Sequence, residues 1–261
     1  MSGEPPTTDV VRADRPAPHV LRITIDRPPV NAIDSAAQRA IADLLDTATD
    51  DHDVRAIVIT GAGRHFCAGA DLREEQDIER DDVGEFLGGI GRLLDAIRRH
   101  RVPVIAAVNG AAHGGGLELA LCCDIRIGND TVNFGAAGVN VGLVANFRGL
   151  TRAVGDARAR HMLLTGWSCR GQQALDWGLV TELVGADELG DRAVAIAERI
   201  ASRSPLSVET TKQCMNESID LDETEATKLQ ARSFARLFRT RDHAEALTAF
   251  FEKRPGVYER R

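Results

Sequence analysis

The chain reads as an α/β protein, an alternating strand–helix body followed by a helical tail. Three observations predict this. Short runs with strand character, Leu21–Ile25, Val54–Thr60 and Val102–Val108, are separated by segments whose apolar residues recur at helical spacing. Glycine-rich or Asn-Gly turns follow the second and third runs. From about Gly155 onward the pattern is mainly helical. At 261 residues, 43% of them hydrophobic, the chain is long enough for one large domain, or one domain with a small appendage, around a sizeable core.

Each element has a local reason. Residues 1–18 are polar and proline-rich and are expected to form a loose leader. Leu21-Arg22-Ile23-Thr24-Ile25 alternates apolar and polar, and Pro28-Pro29 breaks it. Asp34 is placed to N-cap a helix reaching about Asp50, with Ile33, Ala37, Ala40, Ile41, Leu44 and Leu45 near helical spacing. Val54–Thr60 is a second strand, ended by Gly61. Residues 61–82, glycine-rich and then charged, read as an irregular loop. Val83–His100 is amphipathic, with Phe86, Leu87, Ile90, Leu94 and Ile97 on one side. Val102–Val108 is a short buried strand, and Leu117 to Cys122 is too apolar for a surface helix. Ile125–Ile127 and Thr131–Phe134 are short strand candidates. Helices are expected near 156–164, 171–177, 187–202, 206–217, 223–238 and 242–251.

Composition narrows the function. The formal net charge is -7 and aromatics are 4%, the wrong sign and too few rings for a nucleic-acid binder. No apolar run approaches the roughly 20 residues of a membrane helix. Met1 to Val20 has no apolar stretch of the kind a secretory signal carries. Five cysteines without a C-x-x-C pair predict reduced thiols and a cytoplasmic location.

Two segments carry chemistry, and each follows a buried strand. In Asn109-Gly110-Ala111-Ala112-His113-Gly114-Gly115-Gly116-Leu117-Glu118, a triple glycine opens a helix. The first amides of a helix lack internal partners, and the helix dipole favours negative charge there, so an oxyanion can be held. Glu118 follows Gly115 by three residues, on the same helical face. A carbonyl oxygen held at the Gly115 amide would bring its α and β carbons near the Glu118 carboxylate, the arrangement for moving a proton beside a carbonyl. In Phe66-Cys67-Ala68-Gly69-Ala70-Asp71-Leu72, small residues open the backbone to close approach, and one amide is expected to act as a second donor opposite Gly115. Gly61-Ala62-Gly63 lacks the third glycine of a dinucleotide fingerprint, because Phe66 stands in its place.

Together with Asp26-Arg27-Pro28, Asn31-Ala32, Cys123-Asp124, Leu163-Leu164-Thr165-Gly166, Trp177-Gly178-Leu179-Val180 and Phe250-Phe251-Glu252-Lys253-Arg254, these segments resemble the enoyl-CoA hydratase/isomerase (crotonase) superfamily over roughly residues 20–255. The resemblance implies a crotonase-like ββα spiral core, expected over residues 19–195. It also implies a C-terminal helical trimerisation region over 196–261, and a homotrimer or homohexamer. Its ligand would be an acyl-CoA thioester, with coenzyme A as part of the substrate, no metal, no other cofactor and a place in fatty acid metabolism. The oxyanion donors would be the amides of Ala70 and Gly115, with Glu118 as acid and base. Phe66, Ala68, Asp71, Leu72 and Gly114 would line the ligand, adenine lying against the Phe66–Leu72 segment. Lys253 and Arg27 would approach the ligand phosphates.

One departure limits the analogy. Hydratases of this family use two glutamates, and the second falls on Gly138 here. The loop beyond it is shortened to Val144-Ala145-Asn146-Phe147-Arg148-Gly149. Asn140 and Asn146 can orient water but cannot act as bases. His113 titrates near neutrality in its ordinary state. The expected reaction is therefore hydration or elimination with Glu118 alone. Isomerisation, thioester hydrolysis or decarboxylation on the same site, and non-catalytic acyl-CoA binding, remain the alternatives.

Overall fold

A computed structural model describes residues 10–79 and 82–261. Val11–Ala17 (β1) and Val20–Ile25 (β2) form an antiparallel hairpin, followed by the helix Ser35–Asp50 (α1). Then come Ala56–Gly61 (β3), His65–Cys67 (β4), Leu72–Asp77 (α2) and Val83–Arg98 (α3). Val104–Val108 (β5), Ala111–His113 (β6) and Gly115–Cys122 (α4) make the next turn. Ile125–Asn129 (β7) and Asn133–Gly135 (β8) lead into a short 3-10 turn at Ala137–Val141, then Phe147–Val154 (α5) and Asp156–Thr165 (α6). Ser168–Arg170 (β9), Gly171–Asp176 (α7) and Leu183–Val184 (β10) close the body. Leu189–Ala201 (α8), Pro205–Glu217 (α9), Glu223–Leu237 (α10) and Arg241–Glu252 (α11) follow.

The strands build two sheets, one ordered β1-β2-β3-β5-β7-β10 and the other β4-β6-β8-β9. Three successive turns of chain, β3/β4, β5/β6 and β7/β8, each give one strand to each sheet, all parallel within their sheet. That is the ββα spiral. Strands covered on both faces read as continuous apolar runs, and β3 illustrates it. Ile57 and Ile59 face the main core with Phe66, Ile97 and Leu119, while Ala56 and Val58 face Leu189, Ala193 and Ala197 of α8.

Three expectations change. Residues 11–17, assigned to a loose leader, form β1: Val11 and Ala13 turn inward, and Asp14 pairs outward with Arg22 at 2.7 Å. The alternation is short and interrupted by a bulge between Asp14 and Ala17, which hides it in the sequence. Residues 1–9 of that leader lie outside the described residues. The loop assigned to 61–82 contains β4 and α2, because Asp71 caps a helical turn by accepting the Arg73 amide at 2.9 Å. The boundary drawn at 195/196 cuts through α8, which packs on the outer face of the first sheet. The helices beyond Ser204 hold on through Lys212, 5% exposed, which donates to Asp124 at 2.7 Å and to the carbonyls of Ile97 and Val102.

Candidate active site

The site forms where β4 leaves one turn of the spiral and α4 begins in the next. Ile33, just ahead of α1, makes a parallel bridge with Ala70. The Ile33 amide donates to Gly69 O at 2.8 Å, and the Asp71 amide donates to Ile33 O at 3.2 Å. These bonds bracket Ala70. Along an extended segment successive N–H groups alternate in direction, so the Ala70 amide faces away from Ile33. On that side stands Gly115: a Cβ there would lie 3.5 Å from Ala70 N.

Two glycines keep this space open. Gly69 has φ +107°, and a Cβ on it would meet His113 O at 2.8 Å and Gly115 N at 3.2 Å. Gly114 adopts φ 50° and ψ −120°, anchored by its amide to Gly135 O at 2.9 Å, and its carbonyl accepts the Glu118 amide at 3.1 Å. The first amide of α4 therefore projects from the turn. Among the described residues, no hydrogen bond is made by the amide N–H of Ala70 or of Gly115.

Glu118 sits one helical turn inward and is half-buried. Its Oε1 accepts the Asn146 amide at 2.8 Å. Burial pushes the carboxyl above its ordinary value, and the Asn146 amide pulls it part of the way back. Asn146 is held in turn as the N-cap of α5, its Oδ1 accepting the Gly149 amide at 2.9 Å. An Asn three residues before a glycine, ahead of an amphipathic octet, is a capping signal. The sequence shows Asn146 only as a side chain able to orient water; its main-chain bond to Glu118 needs the fold.

The position of the family's second glutamate is closed. A Cβ on Gly138 would lie 2.7 Å from Leu143 O and 2.9 Å from Ala145 N, because the chain turns at Gly142 and bonds Leu143 N to Gly138 O at 2.8 Å. The other polar candidates stay apart. Asn140 packs its side chain against Gly166, Glu74 accepts the Ser35 amide at 2.9 Å, and burial lowers the His113 pKa.

The expected ligand contacts divide. Ala68, Gly114 and Leu72 keep accessible surface, Leu72 being 53% exposed. Phe66 does not: its ring is fully buried in the main core, since β4 turns it inward. Asp71 is occupied, accepting the Arg73 amide and pairing with Arg27 at 2.6 Å. Arg27 is occupied too, by Asp71, by Asp34 at 3.0 Å and by Ala32 O at 3.1 Å. The structure therefore gives Phe66 a core position and ties the Asp71 and Arg27 side chains to each other, and a guanidinium shared between two carboxylates is not a free phosphate ligand. Lys253 caps α11 in a left-handed conformation, on a groove also lined by Asn146 but not by the Phe66–Leu72 segment.

The chain is similar to known proteins over most of its length. A family model described as enoyl-CoA hydratase/isomerase matches residues 17–261. A crotonyl-CoA hydratase of Syntrophomonas wolfei is 38% identical, covering 90% of this chain and 92% of its own length. A probable enoyl-CoA hydratase of Rhizobium meliloti is 37% identical, covering 92% and 94%. The crystal structure of an enoyl-CoA hydratase from Bacillus anthracis superposes with a TM-score of 0.94 at 31% identity, covering 97% of this chain and all of that one.

Proposed function

This chain belongs to the enoyl-CoA hydratase/isomerase family, and on that premise we propose that it is a hydro-lyase adding water across the C2–C3 double bond of a 2-enoyl-CoA thioester, and removing it in reverse. The observation that carries the reading is the pair of unengaged amides, Ala70 and Gly115, from adjoining loops, with Glu118 one turn away.

The thioester oxygen accepts from both amides. Water bonds to C3 while Glu118 takes its proton, and the π pair of the double bond moves onto the thioester oxygen as an enolate. The enolate collapses, and C2 receives the proton from Glu118. One proton and one hydroxyl are added and the carboxylate is restored, so no second acid is needed. Fixed donors of this kind contribute about 2.7–4 kcal/mol each to such an intermediate. General acid–base transfer adds about 10²–10⁴-fold in rate. Burial raises the basicity of the Glu118 carboxylate, and the Asn146 amide opposes that rise by donating to the ionised form.

Ala68 and Leu72 supply the accessible surface for the adenine end, and Lys253 meets a phosphate from a neighbouring copy. That arrangement makes the active unit a homotrimer or a pair of trimers. Phe234, Phe238, Phe250 and Phe251 of the last two helices and their junction, each 60% exposed or more, support the assembly. Five free cysteines, four of them buried, support a cytoplasmic location.

The test follows the conjugated thioester absorbance with a short 2-enoyl-CoA and its 3-enoyl isomer. Loss with the first, yielding the 3-hydroxyacyl product, is expected. A gain with the second and no reaction with the first would make the protein an isomerase, and tight binding without turnover of either would make it a binder.

A further inference from the structure

The Arg27 ion cluster does work that the phosphate expectation did not anticipate. Arg27 Nη2 joins Asp34 Oδ2 at 3.0 Å and Asp71 Oδ2 at 2.6 Å, and its Nη1 holds Ala32 O at 3.1 Å. The two acids are the N-caps of successive helices: Asp34 Oδ1 accepts the Ala37 amide of α1 at 2.8 Å, and Asp71 Oδ1 accepts the Arg73 amide of α2 at 2.9 Å. All three charged side chains are largely covered, at 26%, 25% and 16% exposed. The base of the cluster is rooted in the core. The Arg27 amide donates to Asn31 Oδ1 at 3.0 Å, and the buried Asn31 donates to Ala62 O at 2.9 Å and His65 O at 2.6 Å.

Ala70 lies on one of the two segments that this cluster joins. It adjoins Asp71, and its bridge partner Ile33 adjoins Asp34. We propose that Arg27 is a positioning residue: by tying Asp71 to Asp34 it holds the Ile33–Ala70 bridge in register and so fixes the direction of the Ala70 N–H. This rests on the proposed role of that amide. A displacement of about 1 Å at a catalytic group costs on the order of 10²-fold in rate. A rigid ion pair flanking the donor is the feature that prevents one here.

The test compares Arg27→Gln and Arg27→Lys with the unaltered protein, using Arg92→Gln as a control that breaks an exposed pairing with Asp43 and Asp46 elsewhere. Turnover of a short 2-enoyl-CoA should fall about 10²-fold in kcat for Arg27→Gln with little change in KM. Arg27→Lys should recover part of it, and the control should match the parent. The reverse split, KM raised with kcat intact, would return Arg27 to phosphate binding and overturn the proposal. Amide hydrogen exchange of the 66–73 segment, with no ligand present, gives a second readout. It should quicken in Arg27→Gln and not in the control, and unchanged exchange would overturn the clamp. If the unaltered protein turns over no 2-enoyl-CoA, the functional reading fails while the exchange measurement still decides the clamp.

Discussion

At the residue scale the account rests on Glu118 and on glycines that let backbone approach backbone. Burial raises the Glu118 carboxyl above the 4.5 of a free side chain, and the Asn146 amide opposes it. The ionised form is the base. Hydration should therefore fall as pH drops through that raised value, with the acid limb of kcat/KM standing above the ordinary glutamate range. A limb at or below 4.5 in the pH–rate profile would remove Glu118 as the titrating base. Gly116 makes a separate prediction. A Cβ there would strike the Cys67 carbonyl and side chain, so Gly116→Ala should force α4 away from β4. A loss of about 1–3 kcal/mol by denaturant titration, with turnover lost as well, is expected. The triple glycine was legible in the sequence as an anion-holding helix start. That Gly116 is needed for close packing was not, because the demand comes from Cys67 on β4.

At the element scale the long helices and buried strands were readable, and several of the short elements were not. Asp34 announced α1, since a capping acid before an amphipathic run is a local signal. The strand β4, the helix α2 and the 3-10 turn at Ala137–Val141 are only three to six residues long and exist because tertiary neighbours hold them. The junction of α3 and β5 supplies an element-level test. His100 is buried there, Nδ1 accepting the Val102 amide at 3.2 Å and Nε2 donating to Leu45 O at 3.2 Å, an arrangement for the neutral ring. Burial, helped by the nearby Lys212 charge, lowers its pKa from 6.5 to about 4. In that window the unfolded chain binds a proton that the folded one refuses, so stability declines as pH falls. About 3 kcal/mol should be lost between pH 6.5 and 4, and His100→Gln should flatten that part of the profile. Equal slopes in both proteins would show that His100 is not the group responsible.

At the scale of the whole molecule, the spiral gives one strand per turn to each sheet and so brings residues 69–71 beside residues 114–118. Two motifs more than forty residues apart were identified as partners through the family resemblance; the closure of Gly138 by residues 143–145 needed the folded chain. The C-terminal helices expose Phe250 and Phe251, each at 76%. If these rings sit between copies, replacing both with Ser should lower the mass in sedimentation equilibrium to that of one chain and weaken acyl-CoA binding through Lys253. An unchanged assembly would place the subunit contact elsewhere.

The central claim is one carboxylate and two main-chain donors acting on one thioester. Its most direct measurement is turnover of a short 2-enoyl-CoA by the unaltered protein and by Glu118→Gln at equal acyl-CoA occupancy. The account predicts 3-hydroxyacyl product from the first and a loss of at least about 10²-fold in the second. Equal rates would contradict it.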